Sequence, residues 1–372
     1  MKTFFEPLKA ADKFILIIIA LLGCLSLVML ESTVYDNGFV LDRVVIVQAV
    51  SYILGFILLI TVLHFEYTVF QGLEKLLYIG SILLLLSVYI PGLGQENYGS
   101  RAWLNLGVTT VQPSEFVKIL FILLMANYLS KHREDLKKFR GVMLAGIYAM
   151  PIIAIVLKED LGSALVYMAI WAFMVFFAGI DYKILIKSIV AVIALIPIVY
   201  NFLDGYQKDR IEAFLHPDNL DLPGNYQVWQ SKVAIGSGGF WGKGLFQGTQ
   251  KSLDFIPVQQ SDFIFSVVVE ELGFLGGAVV ILLYGGLLFR FTTIIRNAID
   301  LYGALIVVGF TAMFLFQIFE NIAMTMGLMP VTGITLPFLS GGGTSVIASM
   351  ISVGVILNVG INSKAIRFKI FL

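Results

Sequence analysis

The chain has 372 residues, of which 58% are hydrophobic and 13% charged, and its mean hydropathy is +0.90. This composition excludes an ordinary soluble domain, and the balance of 25 basic and 25 acidic residues gives no bulk-charge signal for a nucleic-acid partner. The single cysteine, Cys24, excludes an intrachain disulfide and a cysteine-based metal cluster. We therefore expect an integral membrane protein that binds no nucleic acid.

Ten apolar stretches are long enough to cross the hydrocarbon core of a bilayer. No convincing cleavage site follows the first stretch, so we expect it to be an uncleaved span with the amino terminus in the cytoplasm. Ten spans then place the carboxyl terminus in the cytoplasm as well. The predicted spans cover residues 14–30, 44–63, 75–92, 114–129, 141–157, 162–180, 184–201, 263–289, 302–327 and 344–362.

The distribution of basic residues agrees with this topology, because Lys and Arg in short loops are retained on the cytoplasmic side. The tails and loops assigned to the inside hold 16 of the 25 basic residues, and nine remain for the outer half. The densest cluster, Lys131 to Arg140, is explained as a topology determinant. We predict an all-α membrane protein, a single domain over residues 1–372, with one large outer loop at about 202–262 between spans 7 and 8.

The fourth predicted span opens with two charged residues on one helical face. Glu115 and Lys118 lie three residues apart, directly after Pro113, a residue type common at helix starts. An ionisable group inside a span indicates a functional site by default. The pair is either a structural ion pair near the outer interface or a polar wall of a substrate cavity.

Two short outer connections also carry charged residues. Asp160 follows the fifth span, where it suits a helix cap as well as a cavity wall. Arg101 follows the third span and offers bidentate recognition of phosphate or carboxylate. Because Trp103 is nearby, an Arg that snorkels at the membrane interface is an equally ordinary interpretation.

The large outer loop is rich in glycine before the chain returns to the bilayer. Residues 236–244 can bring backbone amides close to an anion, as in phosphate-binding nests. Asp262 stands at the start of the eighth span, with Glu270 and Glu271 further along it. A carboxylate in this position can act as a general base, and it can equally cap the helix.

The segment from Gly333 to Ser345 leads into the tenth span. Its three consecutive glycines and Pro337 cannot continue a helix at membrane depth. Irregular backbone is tolerated there only where protein or a water-filled cavity surrounds it. We therefore expect this segment to form a cavity wall.

Taken in order, these motifs resemble the SEDS family (shape, elongation, division and sporulation proteins), with its RodA, FtsW and SpoVE branches. The resemblance covers nearly the whole chain, with departures at Lys158–Asp160, where Glu-Pro-Asp is frequent, at Ser261, where Thr is usual, and at Gly341, where Tyr is usual. The motifs are Pro113–Phe116 with Lys118, Glu159–Gly162, Gln227, Gln230–Ser231, 236–244, Ser261–Phe265, Glu270–Gly273 and Thr335–Ser345.

The resemblance implies an inverting peptidoglycan glycosyltransferase that polymerises lipid II into β-1,4-linked strands at the outer face of the bacterial cytoplasmic membrane. Asp262 corresponds to the essential aspartate of the family and is the expected catalytic base. The resemblance leaves the requirement for a divalent cation, Mg or Mn, undecided. Glu115 and Asp262 are the candidate ligands. The expected substrate-binding residues are Arg43, Arg101, Glu115, Lys118, Asp160, Arg210 and Ser345.

The resemblance also implies partners, namely a class B penicillin-binding protein that cross-links the strands and other membrane proteins of the elongation complex. The short termini favour the elongation branch over the division and sporulation branches. Two other functions stay open on the residues alone. A lipid II flippase would use the same intramembrane charges for translocation, and a scaffold would only recruit the transpeptidase.

Overall fold

The computed structural model describes residues 4–35, 42–97, 100–105, 107, 110–201, 203, 205–252, 255 and 257–370. Helices dominate these residues, and two short 3-10 helices, Ser87–Tyr89 and Arg133–Lys137, extend neighbouring α-helices. The α-helices are α1 Glu6–Ala10, α2 Lys13–Val34, α3 Arg43–Val62, α4 Val69–Gly72, α5 Glu74–Leu86, α6 Pro113–Lys131, α7 Phe139–Glu159, α8 Leu161–Gly179, α9 Tyr182–Asn201, α10 Gly205–Leu215, α11 Asn225–Gly238, α12 Thr249–Ser252, α13 Ile264–Asn297, α14 Leu301–Thr325 and α15 Gly343–Ile370.

Eight helices in the described residues are long and apolar enough to cross a membrane, namely α2, α3, α6, α7, α8, α13, α14 and α15. The two remaining predicted spans are helical too. One is α5 with the 3-10 turn that follows it, and the other is α9. The prediction of a multi-span, all-α membrane fold is confirmed.

A small antiparallel sheet follows the third predicted span, and the sequence analysis did not predict it. Strand β1, Gly94–Asn97, pairs with β2, Ser100–Asn105, which pairs in turn with β3, Thr110–Val111. The strands are short and mostly polar, so the apolar alternation of a half-buried strand is missing. The backbone amide of Arg101 donates to the Glu159 carboxylate at 2.8 Å, which ties the sheet to the end of α7.

Helix α14 lies at the centre of the bundle and packs against α6, α8 and α13. Gly309 permits this close approach, because a Cβ atom there would lie 2.7 Å from the Ile122 side chain and 2.8 Å from the Met174 sulfur. Small residues let helix backbones come together in membranes, where packing drives association.

The segment before α15 returns towards the bundle without regular structure, and the surrounding helices satisfy its backbone. Side chains from α2, α3 and α13 donate to four consecutive main-chain carbonyls, those of residues 337–340. The donors are Tyr284 to Pro337, Tyr52 to Phe338, Ser26 to Leu339 (2.8 Å) and Gln48 to Ser340 (3.0 Å). Protein therefore surrounds residues 337–340, while residues 341–345 line a cavity, as expected for this segment.

The glycine-rich stretch at 236–244 packs against α13 and does not form the expected anion nest. The amides of Lys243 and Gly244 each donate at 3.0 Å to main-chain carbonyls, those of Glu270 and Glu271 respectively. A Cβ atom at Gly242 would lie 2.1 Å from the Glu271 carbonyl oxygen, so only glycine fits this contact.

The side chains of Glu270 and Glu271, which are consecutive residues of α13, also bind the outer loop. Glu271 is fully buried and accepts hydrogen bonds from Ser32 and from the backbone amides of Phe246 and Gly248. Glu270 is also fully buried, and Lys243 Nζ lies 2.7 Å from its Oε1 atom. Both carboxylates therefore have a structural role.

Candidate active site

Two adjoining cavities lie at the end of the bundle where the irregular segment turns into α15. The first, of about 410 Å³, is lined by Asp160, Arg210, Asp262 and Thr332, and we call it the Asp262 cavity. The second, of about 490 Å³, includes Arg43 and is called the Arg43 cavity. The two share the wall formed by Val47, Thr110, Val258, Ser261 and residues 341–343.

The amino-terminal ends of five helices meet at these cavities. The lining residues include Val47 in α3, Gln112 directly before α6, Asp160 at the cap of α8, Asp262 two residues before α13, and Ser345 in α15. A helix start carries partial positive charge and unpaired amides, so it favours anions. These helix starts therefore contribute positive charge at the site in addition to that of its side chains.

Asp262 stands half-buried on the wall of its cavity. The Ser261 hydroxyl donates to its Oδ1 atom at 2.7 Å, and Asn321 Nδ2 donates to its main-chain carbonyl at 2.9 Å. Burial raises the pKa of the Asp262 carboxyl, although the bond from Ser261 and the charge of Arg210 oppose the rise. A carboxylate with a raised pKa is a stronger base than a free one.

Arg210 reaches the Asp262 cavity from α10, near the start of the large outer loop. Gln207, on the same helix, donates to the Leu157 carbonyl at 3.0 Å and fixes α10 to α7. Arg210 Nη1 donates to the Thr332 carbonyl at 3.0 Å. The structure thus brings together two residues, Arg210 and Asp262, that the sequence analysis named separately.

Asp160 has both of the roles that the sequence left open. Its carboxylate caps α8 by accepting from the Ser163 amide at 3.1 Å and from the Ser163 hydroxyl at 2.6 Å. It also accepts from Gln112 Nε2 at 3.1 Å and lines the Asp262 cavity. The cap therefore holds the starts of α6 and α8 together at the cavity wall.

The remaining predicted binding residues occupy different places. Ser345 lines the Asp262 cavity, and its hydroxyl lies 2.8 Å from that of Thr335. Arg43 is exposed at the start of α3 in the other cavity. Arg101 is exposed on β2, beside Glu159, and is absent from the described lining of both cavities.

Glu115 and Lys118 form a buried ion pair within α6. Lys118 Nζ lies 2.6 Å from the Glu115 carboxylate, and the side chains of Lys118 and Glu115 are 2% and 10% exposed. Neither belongs to the described lining of the two cavities. Removing one partner of such a pair leaves a buried charge and costs about 3–5 kcal/mol, so the pair strongly constrains the first turns of α6.

The residues present do not fit a cation site made by protein alone. Glu115 already binds the Lys118 ammonium group, and no cluster of three or more His, Cys, Asp or Glu residues with metal-binding geometry occurs among the described residues. Mg²⁺ commonly binds through one or two carboxylates together with substrate phosphates. Of the two candidate ligands, Asp262 is the one that offers such a carboxylate, and Glu159 and Asp160 line the same cavity.

Two residues of the site were missed in the sequence analysis. Glu320 and Asn321 are fully buried in α14, within the predicted ninth span. Glu320 accepts a hydrogen bond from the Thr332 hydroxyl. An ionisable residue inside a span is a functional signal in itself, and this signal could have identified Glu320.

Comparison with known proteins adds an independent line of evidence. The family model described as cell cycle protein, for FtsW, RodA and SpoVE, matches residues 12–365. The chain belongs to this family. The resemblance to the SEDS proteins is thereby confirmed.

Two curated relatives and one solved structure show how far the similarity extends. Stage V sporulation protein E of Bacillus subtilis is 38% identical over 314 residues, which cover 84% of this chain and 85% of the relative. Peptidoglycan glycosyltransferase MrdB of Escherichia coli K12 is 32% identical over 366 residues, or 98% and 96% of the two chains. A chain in a peptidoglycan synthase complex that coordinates polymerization and crosslinking is 30% identical, with a TM-score of 0.80 over 94% of this chain and 97% of that one.

Replacing Asp262 by Asn should stabilise the folded protein, and the gain should grow as the pH rises from the ordinary aspartate pKa to the raised one and then level off. Burial raises the pKa of Asp262 above its value in the unfolded chain, so the native state loses stability as the pH rises through the raised pKa. Asn does not ionise and escapes this loss. Thermal unfolding in detergent at several pH values measures the difference, with Asp221→Asn, at an exposed Asp of the same outer loop, as the control. A difference that stays constant with pH would contradict the expectation.

Proposed function

We propose that this chain polymerises lipid II into β-1,4-linked glycan strands, with Asp262 as the general base. Its identity as a peptidoglycan glycosyltransferase follows from its family and from relatives named for that activity. The observation that supports the residue assignment is a half-buried carboxylate of raised pKa beside Arg210, at the cavity where five helix starts meet.

The chemical step is a substitution at the anomeric carbon of the donor strand. The 4-hydroxyl of the acceptor N-acetylglucosamine attacks this carbon from the face opposite the leaving group, and Asp262 takes the hydroxyl proton. The new carbon–oxygen bond forms with inversion while undecaprenyl pyrophosphate departs with the electron pair. A base held near the operating pH contributes about 10²–10⁴-fold to such a step.

The charges of the two cavities favour one arrangement of the substrates. Glu159, Asp160 and Asp262 line the Asp262 cavity together with Arg210, so its side chains carry more negative than positive charge. Arg43 is the charged residue in the described lining of the other cavity. We place the donor pyrophosphate at Arg43 and the uncharged acceptor sugar at Asp262, with the reacting carbon at the shared wall.

Arg210 and the helix starts assist this arrangement electrostatically. Arg210 opposes the rise in the pKa of Asp262, which keeps the base ionised when the acceptor binds. The positive ends of α3 and α15 stabilise the negative charge that develops on the leaving group. In this proposal the ion pair of Glu115 and Lys118 fixes the start of α6, and Arg101 fixes the Glu159 turn. These residues stabilise the site without belonging to the described lining of either cavity.

The proposed site faces the outer leaflet of a bacterial cytoplasmic membrane. The basic cluster from Lys131 to Arg140 lies between α6 and α7, at the ends of these helices opposite the cavities. Such clusters are retained on the cytoplasmic side. Outward cavities let the lipid chains of donor and acceptor remain in the bilayer while their sugars react.

The proposed partner is a class B penicillin-binding protein that cross-links the new strands. A structurally similar chain belongs to a complex described as coordinating polymerization and crosslinking. This supports a polymerase that works beside a transpeptidase, together with other membrane proteins of the same complex.

Purified wild-type protein with its cognate penicillin-binding protein should convert labelled lipid II into long glycan strands, and Asp262→Asn should lower the rate at least about 100-fold, because the acceptor hydroxyl loses its base. Strand length on gels and the rate of lipid II consumption measure the effect. Asp221→Asn, the matched exposed control, should keep wild-type activity.

The outcomes separate the alternatives. Equal rates for wild type and Asp262→Asn would remove Asp262 from the chemistry. If neither protein makes strands with an active partner present, a lipid II flippase or a scaffold becomes the better explanation. Translocation of a fluorescent lipid II across vesicle membranes then distinguishes those two.

Arg43→Gln should lower kcat/KM for lipid II about tenfold, because the pyrophosphate loses a charge-assisted hydrogen bond. The steady-state rate of polymerisation over a range of lipid II concentrations measures it. Arg296→Gln, at an exposed Arg near the opposite end of α13, is the control and should leave kcat/KM unchanged. An unchanged kcat/KM in Arg43→Gln would move the pyrophosphate out of the Arg43 cavity.

We assign the activity to cell elongation. Relatives named MrdB, FtsW and stage V sporulation protein E match this chain at 32%, 34% and 38% identity, so the three roles are distinguished by the phenotype of depletion. Depletion of the chain in its host should therefore give rounded cells that still divide, as seen by microscopy with a fluorescent cell-wall label. Filaments without septa, or a defect confined to spores, would assign it to division or sporulation instead.

A further inference from the structure

Glu320 is a buried carboxylate for which the chemical step has no use. It lies in α14 with 0% exposure, and the Thr332 hydroxyl donates to its Oε1 atom. Its Oε2 atom is buried without a hydrogen-bond partner among the described residues. Burying a partly satisfied carboxylate is costly, so stability alone does not explain a glutamate here.

Thr332, the hydrogen-bond partner of Glu320, lies between Arg210 and Asp262 in the Asp262 cavity. The Thr332 carbonyl accepts from Arg210 at 3.0 Å. The next residue, Gly333, has φ of +74°, and a Cβ atom there would lie 3.6 Å from Asp262 Oδ2. The backbone of these two residues therefore sets the separation between the Arg210 guanidinium and the Asp262 carboxylate.

Asn321, the neighbour of Glu320 on α14, holds the same irregular segment one residue further along, at Ile334. Asn321 Nδ2 donates to the main-chain carbonyls of Asp262 at 2.9 Å and of Ile334 at 2.8 Å. Asn321 thus fixes the backbone on both sides of the cavity wall, whereas Glu320 fixes the Thr332 side chain. The charged groups that face Glu320 are Asp262, Arg210 and Asp160.

We propose that Glu320 is a positioning residue that, through its hydrogen bond with Thr332, holds Arg210 at the distance from Asp262 that the transfer requires. The proposal depends on the proposed polymerase function. The hydrogen bond between Glu320 and Thr332 acts on the transition state, because the base must be aligned when the acceptor attacks. It leaves substrate binding largely unchanged.

The test is steady-state polymerisation of lipid II by the full chain with its penicillin-binding protein. Thr332→Val and Glu320→Ala should each lower kcat about 100-fold, the effect of a small misplacement of catalytic groups, with KM unchanged. Thr332→Ser keeps the hydroxyl and should restore most of kcat. The double variant Glu320→Ala/Thr332→Val should be no slower than the slower single variant, because both break one interaction.

The matched control is Thr311→Val, which makes the same change from Thr to Val. The Thr311 hydroxyl donates to the Val307 carbonyl of its own helix, α14. The control should keep wild-type kcat, and thermal unfolding should show every variant folded. Equal kcat in Thr332→Val and wild type, an effect on KM alone, or multiplicative losses in the double variant would overturn the proposal. Failure of wild type to polymerise would instead overturn the proposed function.

Discussion

The need to satisfy backbone carbonyls at membrane depth determines how this site is built. The irregular segment before α15 has no helical partners for the carbonyls of residues 337–340, and each unsatisfied group would cost several kcal/mol in hydrocarbon. Side chains of α2, α3 and α13 supply the donors. Gln48 donates to the Ser340 carbonyl and also accepts from the Gly342 amide at 3.1 Å. Ser340 donates in turn to the Ser261 carbonyl, directly before Asp262. One set of side-chain-to-backbone hydrogen bonds therefore fixes α2, α3, α13 and the irregular segment around Asp262.

Within this frame, opposing electrostatic effects set the properties of Asp262. Burial raises the pKa of its carboxyl and makes it a better base, whereas Arg210 and Ser261 favour the ionised form that a base needs. In the proposed mechanism, the positive helix starts attract the anionic substrate, and the carboxylates Glu159 and Asp160 keep the phosphate away from the acceptor side. In that mechanism, the separation of charge between the two cavities gives donor and acceptor different positions without a preformed protein-only metal site in the described residues.

The ionisable groups of the site lower the stability of the fold, and packing elsewhere in the structure offsets this loss. Asp262, Glu320 and the pair Glu115–Lys118 are ionisable groups in or beside the membrane spans, where an apolar residue would cost less. The close packing at Gly309 and the backbone contacts between α13 and the outer glycine-rich stretch stabilise the bundle elsewhere. Stability lost at a functional site is a general feature of enzymes.

The sequence by itself determined the multi-span fold and the family, since long apolar stretches and ordered local motifs can be recognised without knowing which segments touch. It also indicated Asp262 and Asp160 as polar residues near helix ends, and the family resemblance added Arg210. Only the tertiary structure decided which of them meet. The contact of Glu320 with Thr332 and the packing of the 236–244 glycines on α13 each join two different elements, and the β1–β3 sheet, although local in the chain, lacks the apolar alternation that would reveal it. Such contacts follow from how helices pack, and hydropathy and spacing carry no information on it because they describe each segment alone.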